Sequence, residues 1–286
     1  MSAIPDPAAI DDAAIAFIGG GNMARALIGG LRRSGVPADR ISASEPNPEL
    51  RAALSRDFGI VVNADNATTV RDADVIVLAV KPQILPEVCA GLRDAVRRDP
   101  APLLVSIAAG MPTRRIAHAF GIELPIVRAM PNIGALVGAG ASGLFANPLV
   151  DASQRSTAEA ILAATGVAVW IDDEALMDTV TALSGSGPAY YFLLTEALED
   201  AAVAQGLPRD TARRLAAATC HGAGELLAGS METAGELRRR VTSPGGTTAA
   251  ALAAFADGGF KPLVARALAA SRERGRELAG GDARPA

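Results

Sequence analysis

The chain has 286 residues and a formal net charge of −4; half its residues are apolar, but only 3% are aromatic. That length accommodates two domains with separate cores, built from Ala, Val, Leu and Ile rather than from stacked rings. No block of Lys or Arg marks a nucleic-acid face, and no apolar run is long enough to span a bilayer.

Residues 1–12 carry prolines and acidic groups without a basic stretch, which suits a loose tail better than a signal peptide. Next, Ala14-Ile-Ala-Phe-Ile18 reads as a strand, Gly19-Gly20-Gly21-Asn22-Met23-Ala24 as a turn, and Arg25-Ala-Leu-Ile-Gly-Gly-Leu31 as a helix. A dinucleotide pyrophosphate is held by that order of elements. Gly19 permits a tight turn, Gly21 lets the backbone approach the phosphates, and Ala24 lets the helix pack on the sheet. The helix start adds unpaired N–H groups and a positive dipole end. A plain strand-to-helix turn is the alternative.

The second strand, Ile41–Ala43, leads into Ser44 and Glu45, near the distance where an acidic side chain accepts ribose hydroxyls. A carboxylate there repels a 2′-phosphate, yet Ser44 and Asn47 could donate to one and Arg51 lies one helical turn away. Both NADH and NADPH stay open, as does a merely solvated Glu45 before the Pro46 turn. Further strands are expected at Ile60–Val62, Val75–Val80, Leu103–Ile107 and Ile126–Met130, alternating with helices as in a parallel sheet. Lys81, before Pro82, stands at the end of the fourth strand, where open sheets bind ligands; a surface lysine stopped by proline reads equally well. Ser106-Ile-Ala-Ala-Gly110 ends the fifth strand with small residues against which a nicotinamide ring could lie. Arg128-Ala-Met-Pro-Asn132 closes the sixth at the same edge.

Ser142–Phe145 and Val167–Ile171, around an Asp151–Ala164 helix, could extend the sheet. After Asp172 the β signal fades, and Pro188–Gln205, Asp210–Ala228, Thr247–Phe255 and Pro262–Leu278 read as helices. The chain therefore divides into an α/β domain over 1–171 and an all-α domain over 172–286. Small residues in those helices suit a tight dimer interface or a monomeric bundle equally. Leu183-Ser-Gly-Ser-Gly-Pro188 and Thr242-Ser-Pro-Gly-Gly-Thr-Thr248 each bring hydroxyls and glycines to a helix start, a ready anion site. Without a basic side chain in either loop, a carboxylate fits better than a phosphate; ordinary Ser/Thr capping is the competing reading. His118 and His221 have no partners at metal-ligand spacing, so no metal is expected. Cys89 and Cys220 lie far apart, read as small buried hydrophobes and suit a reducing cytoplasm. The helical part has no lysine before Lys261, unlike the hydroxyacid dehydrogenases of similar layout, which use one on the helix joining their domains.

The sequence closely resembles the pyrroline-5-carboxylate reductase family. The resemblance rests on Phe17–Ala24, Ala79-Val-Lys-Pro82, Met130-Pro-Asn132, Leu183–Tyr190, Ser243-Pro-Gly-Gly-Thr-Thr248 and Gly258-Gly-Phe260, and covers Ala14 to Leu278. It implies an N-terminal Rossmann-type dinucleotide-binding domain followed by an all-α dimerisation domain, assembled as a homodimer or a ring of dimers in the cytoplasm. It also implies reduction of a small-molecule cyclic imine, 1-pyrroline-5-carboxylate, to L-proline with NADP or NAD as cofactor. By the same resemblance the Gly19–Ala24 turn binds pyrophosphate and Glu45 and Asn66 face the ribose. Val80, Lys81 and Pro82, with Ser106, Ala108 and Ala109, line the rest, and Ala79 and Ser44 adjoin them. Ser243, Gly246, Thr247 and Thr248 would hold the substrate carboxylate, with Thr248 also beside the ring nitrogen and Glu174 contributing. The chain departs from the family pattern at Glu45, where NADPH-preferring members commonly carry a small hydroxyl residue, and at Ala182, glycine in some members. A reductase of another small imine and a nucleotide-binding regulator without turnover are the competing functions.

Overall fold

The computed structural model describes Ile10 and residues 12–278. Most of the tail expected over 1–12 lies outside the described residues, but Ile10 is buried in the core, so a loose segment does not extend that far.

The chain runs β1 (Ile15–Ile18), α1 (Asn22–Arg33), β2 (Ile41–Ser44), α2 (Pro48–Phe58), β3 (Val61–Asn63), α3 (Asn66–Val70), β4 (Val75–Leu78), α4 (Leu85–Val96), β5 (Leu103–Ser106), α5 (Thr113–Phe120), β6 (Ile126–Met130), β7 (Gly140–Ala146), α6 (Ala152–Ala163) and β8 (Gly166–Trp170). These strands form one eight-stranded sheet in the order β3-β2-β1-β4-β5-β6-β7-β8. The central strands are apolar throughout because helices cover both faces. Alternate residues therefore feed separate cores: Ile15, Phe17, Val77 and Val105 one, Ala16, Ile18, Ile76, Leu78 and Leu104 the other. Cys89 sits in the second core, where burial pushes its thiol up to about 12; it is a packed hydrophobe, not a nucleophile.

The one departure from the parallel pattern is β7, which pairs antiparallel with β6. Pro131 to Ala139 folds into a single 3-10 turn over Ile133–Val137, too short to carry the chain back across the sheet for parallel pairing. At the far edge Trp170 ends β8, its Nε1 donating to Glu159 Oε2 (2.8 Å), with the Arg155 guanidinium carbon 3.9 Å from its ring centre.

Contacts divide the described residues into a sheet unit, which reaches Gly185 and also takes in the chain from Ser271, and a helical unit, Ser186–Ala270. This division falls downstream of the 171/172 boundary suggested by the fading β signal. The reason is local: Glu174, Asp178 and Ser184 bond to groups on or beside β6 and α5. The segment comprises a 3-10 turn at Glu174–Leu176, α7 (Met177–Val180) and a π-helical turn at Thr181–Gly185.

α8 (Gly187–Ala204) and α9 (Arg209–Gly229) follow, joined through Gly206, with Arg209 bonding both Glu199 and Asp200. α10 (Ala234–Arg240), α11 (Thr247–Asp257) and α12 (Phe260–Leu278) complete the chain. α10 was not anticipated. Its signal was present in Thr233 and Glu236, which form a reciprocal capping box. Within α8 to α12 only Gly187 and Ala212 are buried, while Phe192 and Leu193 are each 65% exposed. The helical unit has almost no core within one chain.

Candidate active site

β1, β2, β4, β5 and β6 run parallel and end at one edge of the sheet. β1 and β4 are neighbours there although the strand order continues in opposite directions from them. Open α/β sheets bind ligands at such a switch point.

The glycine turn between β1 and α1 has two requirements that the structure separates. Gly19 has φ +99°, its N–H donates to Ser44 O (2.9 Å), and a Cβ there would come 2.8 Å from Ala79 O. A Cβ at Gly20 would come 2.5 Å from Leu54 Cδ1. The backbone thus requires glycine at 19, while at 20 a larger residue would have to displace the buried end of Leu54. Gly21 is different: its φ of −68° suits any residue, and a Cβ would meet no atom within 4 Å. The fold does not explain this glycine, whereas close approach of an anion does.

Gly21 is the N-cap of α1, and no side chain caps the helix. The first-turn N–H groups of Asn22, Met23 and Ala24 are thus left for a ligand. Arg25, in the first turn of α1, is bonded to Asp57 (2.5 Å), whose carboxyl it holds below the usual range. The turn accordingly fits a dinucleotide pyrophosphate bound by backbone.

At the end of β2, Glu45 is buried and accepts two backbone bonds: Gly20 N–H to Oε2 at 2.9 Å and Asn47 N–H to Oε1 at 3.0 Å. Ser44 Oγ donates to Asn66 Oδ1 at 2.6 Å. A cavity of about 400 Å3 opens beside Asn66, with Ala64, Ala67, Ile84 and Val88 among its walls. Beyond β4, Ala79 and Val80 are half-buried and Lys81 exposed before Pro82; beyond β5, Ser106 and Ala108 are buried and Ala109 exposed. The sheet unit thus brings all the residues expected at the nucleotide to one edge.

In the helical unit, Ser243 to Gly246 leads into α11. Here too the N-cap is glycine, Gly246, with no side-chain cap bond. The ordinary-capping alternative fails, and the N–H groups around Thr247 and Thr248 are left open to an anion. Gly246 lies so close to Ser243 that a Cβ would sit 2.4 Å from its Oγ. The other expected anion loop, Leu183–Pro188, is largely helical. It runs from the π-helical turn into α8, with Ser184 Oγ donating to Val180 O (2.9 Å) and Ser184 O accepting from Asn132 Nδ2 (2.9 Å).

Glu174 lies in the sheet unit, where its two oxygens accept from Thr113 N–H (2.7 Å) and Thr113 Oγ1 (3.0 Å). Arg128 approaches Glu174 at 3.6 Å and Asp178 at 3.3 Å, its side chain only 6% exposed. Sequence reasoning missed this cluster. Its signal was a charged residue inside the apolar run Ile126–Met130, since a buried arginine requires carboxylate partners. Among the described residues there is no group of metal-binding side chains, and no helix is long and apolar enough to cross a membrane.

Residues 174–278 match the model of the pyrroline-5-carboxylate reductase dimerisation family, and residues 14–110 that of the coenzyme F420-dependent NADP oxidoreductases. A Pseudomonas aeruginosa pyrroline-5-carboxylate reductase is 52% identical over 93% of this chain and 96% of its own length. The pyrroline-5-carboxylate reductase structure from Coxiella burnetii superposes with a TM-score of 0.90 at 40% identity, covering 93% of this chain and 98% of that one. The Plasmodium falciparum pyrroline carboxylate reductase, solved with NADP bound, gives 0.81 at 29% identity over 94% of this chain and 99% of that one.

Proposed function

The chain belongs to the pyrroline-5-carboxylate reductase family and is an NAD(P)H-dependent oxidoreductase acting on a carbon–nitrogen double bond; we propose how its own residues carry the reduction of 1-pyrroline-5-carboxylate to L-proline. One observation carries the assignment of residues. α1 and α11 each open at a glycine N-cap that no side chain caps, giving one backbone anion site in each unit.

The first site takes the nucleotide. Gly19 to Ala24 hold the pyrophosphate, Ser44, Glu45 and Asn66 the adenosine ribose, and the cavity beside Asn66 suits the adenine ring. Ala79, Val80, Lys81, Pro82, Ser106, Ala108 and Ala109 line the nicotinamide half. When bound, the reduced nucleotide supplies a hydride to the imine carbon.

The second site takes the substrate carboxylate on the N–H groups of Thr247 and Thr248, with the Ser243 and Thr247 hydroxyls, while Gly246 N–H closes the turn on Ser243 O (3.1 Å). Residues 242–248 contain no His, Lys, Asp or Glu. The imine nitrogen therefore arrives protonated, or receives its proton through the Thr248 hydroxyl or water. Positioning does most of the work, and fixed geometry of reacting groups can lower a barrier by about 7–11 kcal/mol at best. Glu174, its oxygens occupied by Thr113 and Arg128, is read as a positioning residue rather than a ligand.

The near-absence of buried residues in α8 to α12 supports a homodimer formed through the helical unit, with rings of dimers as the further assembly. The free thiols Cys89 and Cys220 accord with a cytoplasmic enzyme.

The test is oxidation of the reduced nucleotide by purified protein, dependent on 1-pyrroline-5-carboxylate. Thr248→Val should lower kcat/KM by about ten- to a hundredfold, the worth of one charge-assisted hydrogen bond, while Thr248→Ser retains most of it. Unchanged kinetics in the valine variant would remove Thr248 from the mechanism.

A further inference from the structure

We propose that the nucleotide site selects NADH over NADPH, and that the buried Glu45 carboxylate, tied to the glycine turn, is the selecting group. The inference rests on the dinucleotide reading above.

Glu45 is 8% exposed, and each of its oxygens already holds a backbone N–H, from Gly20 and from Asn47. Swinging the side chain away would strand both donors. The backbone is equally fixed: Pro46 follows, Asn47 caps α2 through Glu49 N–H and Leu50 N–H, and Pro48 begins the helix. The carboxylate thus stays beside the turn whichever nucleotide arrives. It has lone pairs left for ribose hydroxyl donors. A 2′-phosphate brings further negative charge and no comparable donor.

Ser44 and Arg51, two of the groups that could welcome such a phosphate, are engaged within the protein. Ser44 gives its hydroxyl proton to Asn66 Oδ1. Arg51 turns Nη1 onto Glu45 O (2.8 Å) and Pro46 O (2.7 Å), bracing the bend from behind. Asp65 and Glu87 line the cavity beside Asn66, and Glu49 lies in the first turn of α2. The ribose end of the site is acidic, and like charges brought together cost affinity for the wrong ligand.

The experiment is calorimetric titration of the full chain with NADH and with NADPH. NADH should bind about tenfold or more tightly, with a gap that narrows as salt screens the repulsion. Glu45→Ser should abolish or reverse the preference, and Glu45→Gln, of the same shape, serves if the serine variant folds poorly. Arg51→Met should weaken both nucleotides alike. Equal or tighter binding of NADPH by the unaltered chain overturns the inference. So does an unchanged ratio in the folded Glu45 variants, or a loss confined to NADPH in Arg51→Met. Binding of neither nucleotide would instead sink the dinucleotide reading, and the inference with it.

Discussion

Replacing Gly21 with valine should abolish useful nucleotide binding while leaving the protein folded. The backbone at Gly21 is extended, the residue is exposed, and a Cβ there has no neighbour within 4 Å. The loss of a tolerated glycine N-cap is expected to cost no more than about 1 kcal/mol. The ligand sees something different, because a branched side chain would stand where phosphate oxygens must approach the first-turn N–H groups of α1. Charge-assisted hydrogen bonds contribute about 1.5–3 kcal/mol each, so losing two weakens NADH and NADPH alike by roughly a hundredfold or more. Gly19→Ala supplies the contrast. With φ +99° and Ala79 O 2.8 Å from the added carbon, it should lower the melting temperature directly. Normal binding by a folded Gly21→Val protein would remove the pyrophosphate from this turn.

The largest loss of stability is expected from Arg128→Met. Arg128 is the cation facing both Glu174 and Asp178, whose side chains are only 23% and 19% exposed. Removing one member of a buried ion cluster costs about 3–5 kcal/mol because the remaining charges stay desolvated. The partial exposure of the two carboxylates places the expected value near 3 kcal/mol, read from the urea midpoint at constant m. Lysine should rescue little, since one ammonium cannot present the spread donors of a guanidinium to two separate carboxylates. Adding Glu174→Gln and Asp178→Asn to Arg128→Met should recover part of the loss, as it removes the orphaned charges. A fully stable Arg128→Met protein would show the cluster to be energetically idle.

The contrast between these two positions tracks what can be read from one sequence. The strand, glycine turn and helix from Ala14 to Leu31 were legible because every determinant is local: a continuous apolar run, special glycines and an amphipathic repeat. The same holds for the Thr242–Thr248 segment before α11. Antiparallel β7 was less legible. Its direction depends on the length of the connection from β6, not on the composition of either strand. The Leu183–Pro188 segment was misread for a related reason. Ser184 and Gly185 look like a loop, yet Asn132, far back in the chain, binds Ser184 O and draws the segment into a helical turn. Glu174 was recognised as special, but Thr113 and Arg128, which occupy it, lie in other elements and left no periodic trace. α10, by contrast, could have been found from Thr233 and Glu236 alone.

Trp170 is the chain's single tryptophan, seated at the β8 edge against Arg155 and Glu159. Indole emission is therefore an optical report on the sheet unit, without a contribution from the helical one. Far-ultraviolet circular dichroism, in turn, reads the helices of both units. Following both signals through one denaturant titration separates melting of the nucleotide-binding half from dissociation and melting of the helical half, with no label attached.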